Sequence, residues 1–351
     1  MQRYSMTDNT AISGSGTRRI EYIDALRGFT MFLVVLGHVS ALCWQLTNKN
    51  PSFYHYLTQV RMPTFFFISG FVLYKADVVW NARHIISFFK KKIPVQLISP
   101  LIFFVTFLYV SHIPIFEGFI DKLKAGYWFT FVLLEFYVFY AAVRFLMRNH
   151  WASWILVTMG IAMYYVCWPT MTTHHQTLDN ALALVSAHQW RYFLFFVLGT
   201  LVKQHFDTVQ QWLDGKWLLP LCIVFYLAVY AFSEVLPVKA TTMQGLLSLT
   251  GLVIVFSFFR NRQEWFSQKT RLGRTMQFVG RRTLDIYLIH FFLLPRGLSA
   301  FTFFKDHPMP VIEFFVSSVI AIIIIAVALI ISNIIRLSPT LAHWLFGARN
   351  K

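Results

Sequence analysis

The sequence predicts an all-α, polytopic membrane helical bundle of about ten transmembrane helices, and three observations support this fold class. Of the 351 residues, 57% are hydrophobic and only 13% are charged, about half the charged fraction of a soluble domain. The mean hydropathy is +0.55. Apolar runs of about 20 residues, the length that crosses a bilayer, recur along the chain. This composition argues against a disordered, fibrous or disulfide-rich secreted protein.

The apolar runs predict a single membrane domain over residues 20–351, which follows a flexible polar tail at residues 1–19. The fifth run is short and ends in Trp168-Pro169, and the sixth contains His188 and Arg191, so nine or eleven spans are alternatives to ten. The predicted spans are 24–46, 57–78, 94–112, 126–147, 151–168, 183–203, 217–236, 241–259, 279–299 and 311–335.

The distribution of basic residues predicts which way these spans point. With the N-terminus inside, the inner loops hold 22 Lys and Arg and the outer side holds 8, while Arg27 lies within the first span. Because cytoplasmic loops are enriched in Lys and Arg, both termini are predicted to be cytoplasmic. The net charge of +16 is then a topology signal, and no nucleic-acid partner is expected. The three cysteines lie in apolar runs without metal-ligand spacing, so no metal is expected either.

The first span carries three ionisable residues, which are costly inside a bilayer and therefore need a reason. They are Asp24, Arg27 and His38. At 100° per residue, Arg27 and His38 share one face of a helix about 16 Å apart along its axis, and Asp24 lies on the same side. The arrangement predicts an arginine near the cytoplasmic mouth of a polar cavity and a histidine near the bilayer midplane.

Other spans supply polar groups at a similar depth. Glu135 is nine residues into the fourth span, and His290 is about eleven residues into the ninth, one turn after Tyr287. Ser69 is halfway along the second span, and Arg61 is near its outer end. A histidine beside a carboxylate is a general-base arrangement, and arginine binds phosphate with geometry as well as charge. The alternatives are structural: helix–helix hydrogen bonds for the histidines and Glu135, and an ion pair between Asp24 and Arg27.

The stretch RIEYIDALRGFTMFLVVLGH at 19–38 resembles the opening of the acyltransferase-3 family of integral membrane acyltransferases, whose hallmark is Arg or Lys, ten residues, then His. Here that pair is Arg27 and His38. Further similar motifs follow in order along nearly the whole chain: RMPTFFFISGFVL at 61–73, a basic cluster at 90–92, YWF at 127–129, RYFLFFVLG at 191–199 and GRRTLDIYLIH at 280–290. The heparan-glucosaminide acetyltransferases have a similar Asp-x-x-Arg-Gly opening but usually lack the histidine, which makes them the weaker match.

The resemblance implies transfer of an acyl group, usually acetyl from acetyl-CoA, to a hydroxyl of a cell-envelope glycan. By similarity His38 would be the catalytic base and Arg27 would help bind the donor. Lys91 and Lys92 would contact the coenzyme, although the family's Arg-x-x-Arg spacing is broken here, since Val95 follows Lys92 by three residues.

The resulting hypothesis is a multi-pass O-acyltransferase of the bacterial inner membrane, with membrane lipids, acyl-CoA and a glycan or lipid-linked saccharide as its partners. His38 would be the base, with Glu135 as its orienting carboxylate. The remaining candidates would line the acceptor side or support it: Asp24, Arg61, Ser69, Tyr287 and His290. A transporter or exporter of a glycan or anionic solute is one alternative, and an acyltransferase that acts on an amine or small metabolite is another.

Overall fold

The computed structural model describes residues 20–47, 50, 52–147, 149, 151–167, 176–232 and 238–347, and all regular secondary structure in them is helical. The predicted tail at 1–19 lies outside the described residues. The predicted all-α class is therefore confirmed for the part of the chain that the structure describes. That residues 20–351 form a single domain stays a prediction.

The α-helices follow one another with short connections, and a few are extended by other helical forms. The α-helices are α1 Glu21–His38, α2 Tyr54–Leu73, α3 Ala82–Ile93, α4 Ser99–Val110, α5 Ile115–Ile120, α6 Trp128–Leu146, α7 Trp151–Cys167, α8 Gln176–Leu184, α9 Phe193–Gln204, α10 Phe206–Leu213, α11 Leu218–Ala231, α12 Ala240–Asn261, α13 Arg271–Arg281, α14 Thr283–Leu293, α15 Phe303–Asp306, α16 Pro310–Ile335 and α17 Pro339–Phe346. π-Helical turns at Val39–Cys43 and Pro94–Ile98 extend α1 and join α3 to α4, and 3-10 turns lie at Lys124–Gly126, Ala187–Tyr192 and Arg296–Ala300.

Several of these helices are long and apolar enough to cross a membrane. Among the described residues, five helices meet that condition, or up to seven if each of two bent pairs counts as one span. Every predicted span contains a helix, but the third begins earlier than predicted, because α3, the π-turn and α4 run on continuously over Ala82–Val110. The predicted count of ten and the cytoplasmic location of the termini stay predictions.

The outer surface of the bundle is strongly apolar. Large aliphatic side chains are exposed along α11, including Leu221 and Val224, and along α16, including Ile322 and Ile323. An apolar surface of this extent marks contact with lipid or another apolar partner. The chain is thus a multi-pass membrane protein by its structure as well as its composition.

Helix α1 lies inside the bundle and crosses α13 at very short range. A Cβ atom on Gly28 would lie 2.1 Å from the carbonyl oxygen of Met276, and one on Gly280 would lie 1.8 Å from the carbonyl oxygen of Asp24. Only glycine permits such an approach of two backbones. This crossing fixes where α1 begins relative to the segment that leads into α14.

Helices α1 and α14 run in the same direction, and this places the site. Gly280, just before α14, packs against Gly28 near the start of α1, whereas His290 near the end of α14 contacts His38 at the end of α1. Asp285 ties α14 to α16, since Arg336 donates to both of its carboxylate oxygens at 2.9 Å. The two histidines are therefore held at one depth by packing at both ends of α14.

Candidate active site

A cavity of about 1020 Å³ runs along one side of α1 and is walled by segments from most of the bundle. Its volume is at the upper end of the range for small-molecule sites. Six of the residues singled out from the sequence line it: Arg27, His38, Arg61, Ser69, Lys92 and Tyr287.

The cavity has two ends, which we name after Arg27 and Arg296. Arg27 precedes His38 by eleven residues of helix, or about 16 Å. Lys92, whose ammonium lies 4.8 Å from the ring centroid of Tyr137, belongs to the Arg27 end. Arg296 lies beyond His290 in the chain direction of α14, at the opposite end. His38 lies between the two ends.

His38 ends the regular α-helix, and its imidazole is bonded to a second histidine. The π-helical turn begins at the next residue, Val39, and π-turns inside α-helices are frequent at functional sites. The Nδ1 atom of His38 lies 3.0 Å from Nε2 of His290. None of the described residues forms a hydrogen bond with Nε2 of His38. Because His38 also lines the cavity, that nitrogen is available to a substrate.

The surroundings of His290 determine which nitrogen of each ring carries a proton. Nδ1 of His290 lies 3.1 Å from the carbonyl oxygen of Ile286 and 2.8 Å from that of Tyr287. Carbonyl oxygens only accept, so Nδ1 of His290 must donate and, in the neutral ring, Nε2 must accept. Nδ1 of His38 is then the donor, and its Nε2 is unprotonated. The pair thus presents a proton acceptor to the cavity.

Glu135 is not among the described residues that line the cavity. Its Oε2 accepts a hydrogen bond from the indole nitrogen of Trp190 at 2.7 Å. Along α6 the cavity is lined by Leu133 and Tyr137, and at the start of the helix by Trp128, Phe129 and Thr130. Glu135 lies two residues from both Leu133 and Tyr137, about 200° round the helix from them. The structure does not bring this carboxylate to His38. The atom that contacts Nδ1 of His38 belongs to His290.

The remaining candidates from the first and third spans separate into residues that face the cavity and residues that do not. In the described part of the chain, no ion pair joins Asp24 to Arg27, and Asp24 does not line the cavity. Arg27 lines it and has no hydrogen bond to a described residue. Of the lysine pair, Lys92 lines the cavity and Lys91 is absent from its described lining.

Ser69 and Tyr287 line the cavity but are committed to the protein backbone. The Ser69 hydroxyl donates to the carbonyl oxygen of Phe65 at 2.8 Å. The Tyr287 hydroxyl donates to the carbonyl oxygen of Gly126 at 3.0 Å and accepts from the backbone N–H of Phe129 at 3.2 Å. Tyr287 therefore holds the turn before α6 against α14, beside the histidine pair.

Arg61 contacts α1 at Gly37, the residue before His38, and its placement near the outer end of its span stays a prediction. A Cβ on Gly37 would lie 1.8 Å from Nη1 of Arg61, so the missing side chain of Gly37 leaves room for the guanidinium. This Nη1 is buried and has no hydrogen-bond partner among the described residues. Helical periodicity within α2 cannot show such a contact, because it depends on how α1 packs.

A buried carboxylate that the sequence analysis did not single out supports the turn after His38. Glu313 is 2% exposed. Its Oε1 accepts from Ser40 at 2.7 Å and Ser317 at 2.8 Å, and its Oε2 accepts from Ser52 at 2.7 Å. Since Ser40 is in the π-helical turn, Glu313 fixes the backbone just after His38. The sequence does contain a signal that could have identified this residue, because Glu313 is the one charged residue in the run 310–335. A charged side chain within a membrane span is costly and therefore indicates a specific role.

Metal ligands are not clustered in the described residues, where no group of three or more His, Cys, Asp or Glu side chains could hold a metal ion. The expectation that the protein needs no metal stays a prediction.

Comparison with known proteins identifies the family. A search of curated proteins and a search of solved structures each find no match. A family model described as an acyltransferase domain, of the acyltransferase-3 type, matches residues 20–331. That range contains Arg27, His38, His290 and the cavity that the first two line, so the match covers the whole candidate site. The chain belongs to the acyltransferase-3 family.

Proposed function

We propose that this membrane acyltransferase moves an acetyl group from acetyl-CoA to a hydroxyl of a cell-envelope glycan or lipid-linked sugar, with His38 as general base. The observation that carries the proposal is the bonded pair of His38 and His290, which opens on a cavity that also contains Arg27. The family supports acyl transfer in general, and the geometry of the pair supports a base at this position.

The chemistry needs one base that can return its proton. Nε2 of His38 takes the proton from the acceptor hydroxyl while the hydroxyl oxygen attacks the thioester carbonyl carbon. The tetrahedral intermediate then collapses, the carbon–sulfur bond breaks, and the leaving thiolate takes the proton back from His38. The products are the ester and free coenzyme A. His290 accepts from Nδ1 of His38 throughout, so it stabilises the imidazolium that forms.

The Arg27 end of the cavity suits the donor. Arg27, Lys75 and Lys92 line this end, and basic side chains bind phosphate through charge-assisted hydrogen bonds. A coenzyme entering there would direct its thioester along α1 toward His38. With the termini in the cytoplasm, as the positive-inside pattern predicts, this end faces the cytoplasmic acetyl-CoA pool of a bacterial inner membrane.

The experiment that tests the proposal measures acetyl transfer from radiolabelled acetyl-CoA to glycan in membranes that contain the full chain. His38→Ala should abolish labelled product. His205→Ala is the matched control, because His205 is exposed, lies outside the described cavity lining and should leave the rate unchanged. Full activity in His38→Ala would refute the mechanism.

The same experiment separates the alternatives. A transporter would move solute across sealed vesicles without consuming acetyl-CoA, so consumption without net flux favours the enzyme. An acceptor amine would give an amide, which survives mild alkali, whereas the ester proposed here is released by it.

A further inference from the structure

Besides Arg27, the cavity is lined by three arginines that come from separate parts of the chain. Arg61 is on α2, Arg191 is in the 3-10 turn before α9, and Arg296 is in the 3-10 turn after α14. Among the described residues that line the whole cavity, the carboxylates are represented by Asp121 alone. The cavity is therefore strongly cationic beyond Arg27 and Lys92 as well.

Each of these guanidinium groups lies over an aromatic ring. The Cζ atom is 5.6 Å from the ring centroid of Tyr54 for Arg61, 5.0 Å from that of Tyr192 for Arg191 and 4.7 Å from that of Phe107 for Arg296. Cation–π contact holds a guanidinium by its face. The N–H edges of Arg61 and Arg296 remain available for the bidentate bonds that arginine forms with carboxylate and phosphate, whereas Nη2 of Arg191 donates to the Tyr192 hydroxyl at 3.3 Å.

Among the described residues, no carboxylate forms an ion pair with Arg61 or Arg296. In the described part of the chain there are three ion pairs, and their basic members are Arg260, Arg282 and Arg336. The Nη1 atom of Arg61 is also buried without a hydrogen-bond partner there. A partly buried cation with an unsatisfied donor is unfavourable unless something supplies the opposite charge. This argument applies to Arg61, because Arg296 is exposed.

Membrane topology does not explain these arginines. The predicted outer side holds only 8 of the basic residues against 22 on the inner side, and three of those 8 line this one cavity. The positive-inside pattern depletes basic residues on the outer side. The convergence of these three arginines on one cavity is therefore better explained by a ligand that they bind.

We propose that the Arg296 end binds the acyl acceptor and that this acceptor carries an anionic group, a carboxylate or a phosphate, near the hydroxyl that is acylated. The inference rests on the proposed function, since it names the class of its acceptor. Arg61 would contact the anionic group closest to His38, and Arg296 would hold it on the entry side. An anionic sugar and a sugar linked through a lipid phosphate share this chemistry.

The first test measures the charge of the product. Membranes that contain the full chain are incubated with radiolabelled acetyl-CoA, and the product that depends on His38 is run on an anion-exchange column at neutral pH. We expect retention. Loss of retention after chemical reduction of carboxyl groups assigns the charge to an acidic sugar, and loss after mild acid cleavage of the glycosyl phosphate assigns it to the lipid link.

The outcomes distinguish this inference from the proposed function. A labelled product that depends on His38 but elutes as a neutral species overturns the anionic acceptor and leaves acetyl transfer intact. The absence of any product that depends on His38 removes both.

The second test asks whether the arginines hold the acceptor or the donor. Glycan extracted from a deletion strain and quantified by total sugar serves as the acceptor, and acetyl-CoA is varied separately. Loss of a charged hydrogen bond predicts a rise of about 10- to 100-fold in the apparent KM for the extract in Arg296→Gln. The KM for acetyl-CoA should not change, and Arg296→Lys should recover much of the loss.

Arg262→Gln is the matched control, because Arg262 is exposed like Arg296 and also lies over an aromatic ring, 4.9 Å from the centroid of Trp265, but is outside the described cavity lining. It should leave both constants unchanged. An unchanged KM for acetyl-CoA in Arg296→Gln also shows that the variant is folded. A raised KM for acetyl-CoA with an unchanged KM for the extract would overturn the proposal, because the arginines would then hold the donor.

Discussion

Replacing His290 by leucine should slow the chemical step without weakening the binding of either substrate. His290 is fully buried and does not line the cavity in the described residues, and its contact with the site is the 3.0 Å bond to Nδ1 of His38. That bond becomes charge-assisted when His38 holds the proton in the transition state. A bond to a charged group contributes about 1.5–3 kcal/mol, which corresponds to about 10- to 100-fold in kcat.

The assay follows coenzyme A release by purified protein in lipid nanodiscs, with acetyl-CoA and glycan extract varied in turn. His290→Gln is the matched variant, because a glutamine side-chain oxygen can accept from Nδ1 of His38, and it should keep kcat within about tenfold of the wild type. His38→Ala sets the background rate. If His290→Leu retained full kcat, or if its whole defect were in KM, the assignment of His290 as the residue that orients His38 would be refuted.

Three further predictions concern the donor site, the turn after His38 and a buried lysine. Lys92→Gln should raise the KM for acetyl-CoA about tenfold, whereas Lys91→Gln should not, because only Lys92 is in the described cavity lining; steady-state kinetics of both variants checks this. Glu313→Leu should lower the free energy of unfolding by on the order of 3 kcal/mol, since three serine hydroxyls lose a charged acceptor. Glu313→Gln should lower it less, and the Tm of each variant measures the difference. Burial lowers the pKa of Lys124, whose ammonium donates to the carbonyl oxygens of Phe119 and Ala183 and lies outside the candidate spans. Between the lowered pKa of the folded chain and about pH 10.4, the pKa of an unfolded lysine, the unfolded chain binds more of this proton than the folded chain does. The stability of the fold therefore rises with pH over this range. Lys124→Met should remove that rise from a plot of Tm against pH.

Relations within one helix could be predicted from the sequence, because they depend only on helical geometry. Arg27 and His38 are eleven residues apart in α1, and both line the cavity. The depth of His290 followed from counting residues along its span, and α14 does bring it level with His38.

Relations between helices could not be predicted in the same way. Glu135 accepts a hydrogen bond from Trp190 and is absent from the described cavity lining, and periodicity alone does not say which face of α6 meets which neighbour. Arg61 reaches the backbone of α1 next to His38 only because Gly37 leaves space for it. Glu313 supports the turn after His38 through its hydrogen bond with Ser40, and these two residues are 273 positions apart in the chain.

A structure of the protein with a non-transferable acetyl-CoA analogue, in which a methylene replaces the thioester sulfur, would test the central claim most directly. We expect the coenzyme phosphates at Arg27 and Lys92 and the acyl carbonyl carbon within reach of a hydroxyl bonded to Nε2 of His38. An analogue bound outside the cavity, or with its acyl group at the end remote from His38, would contradict the account.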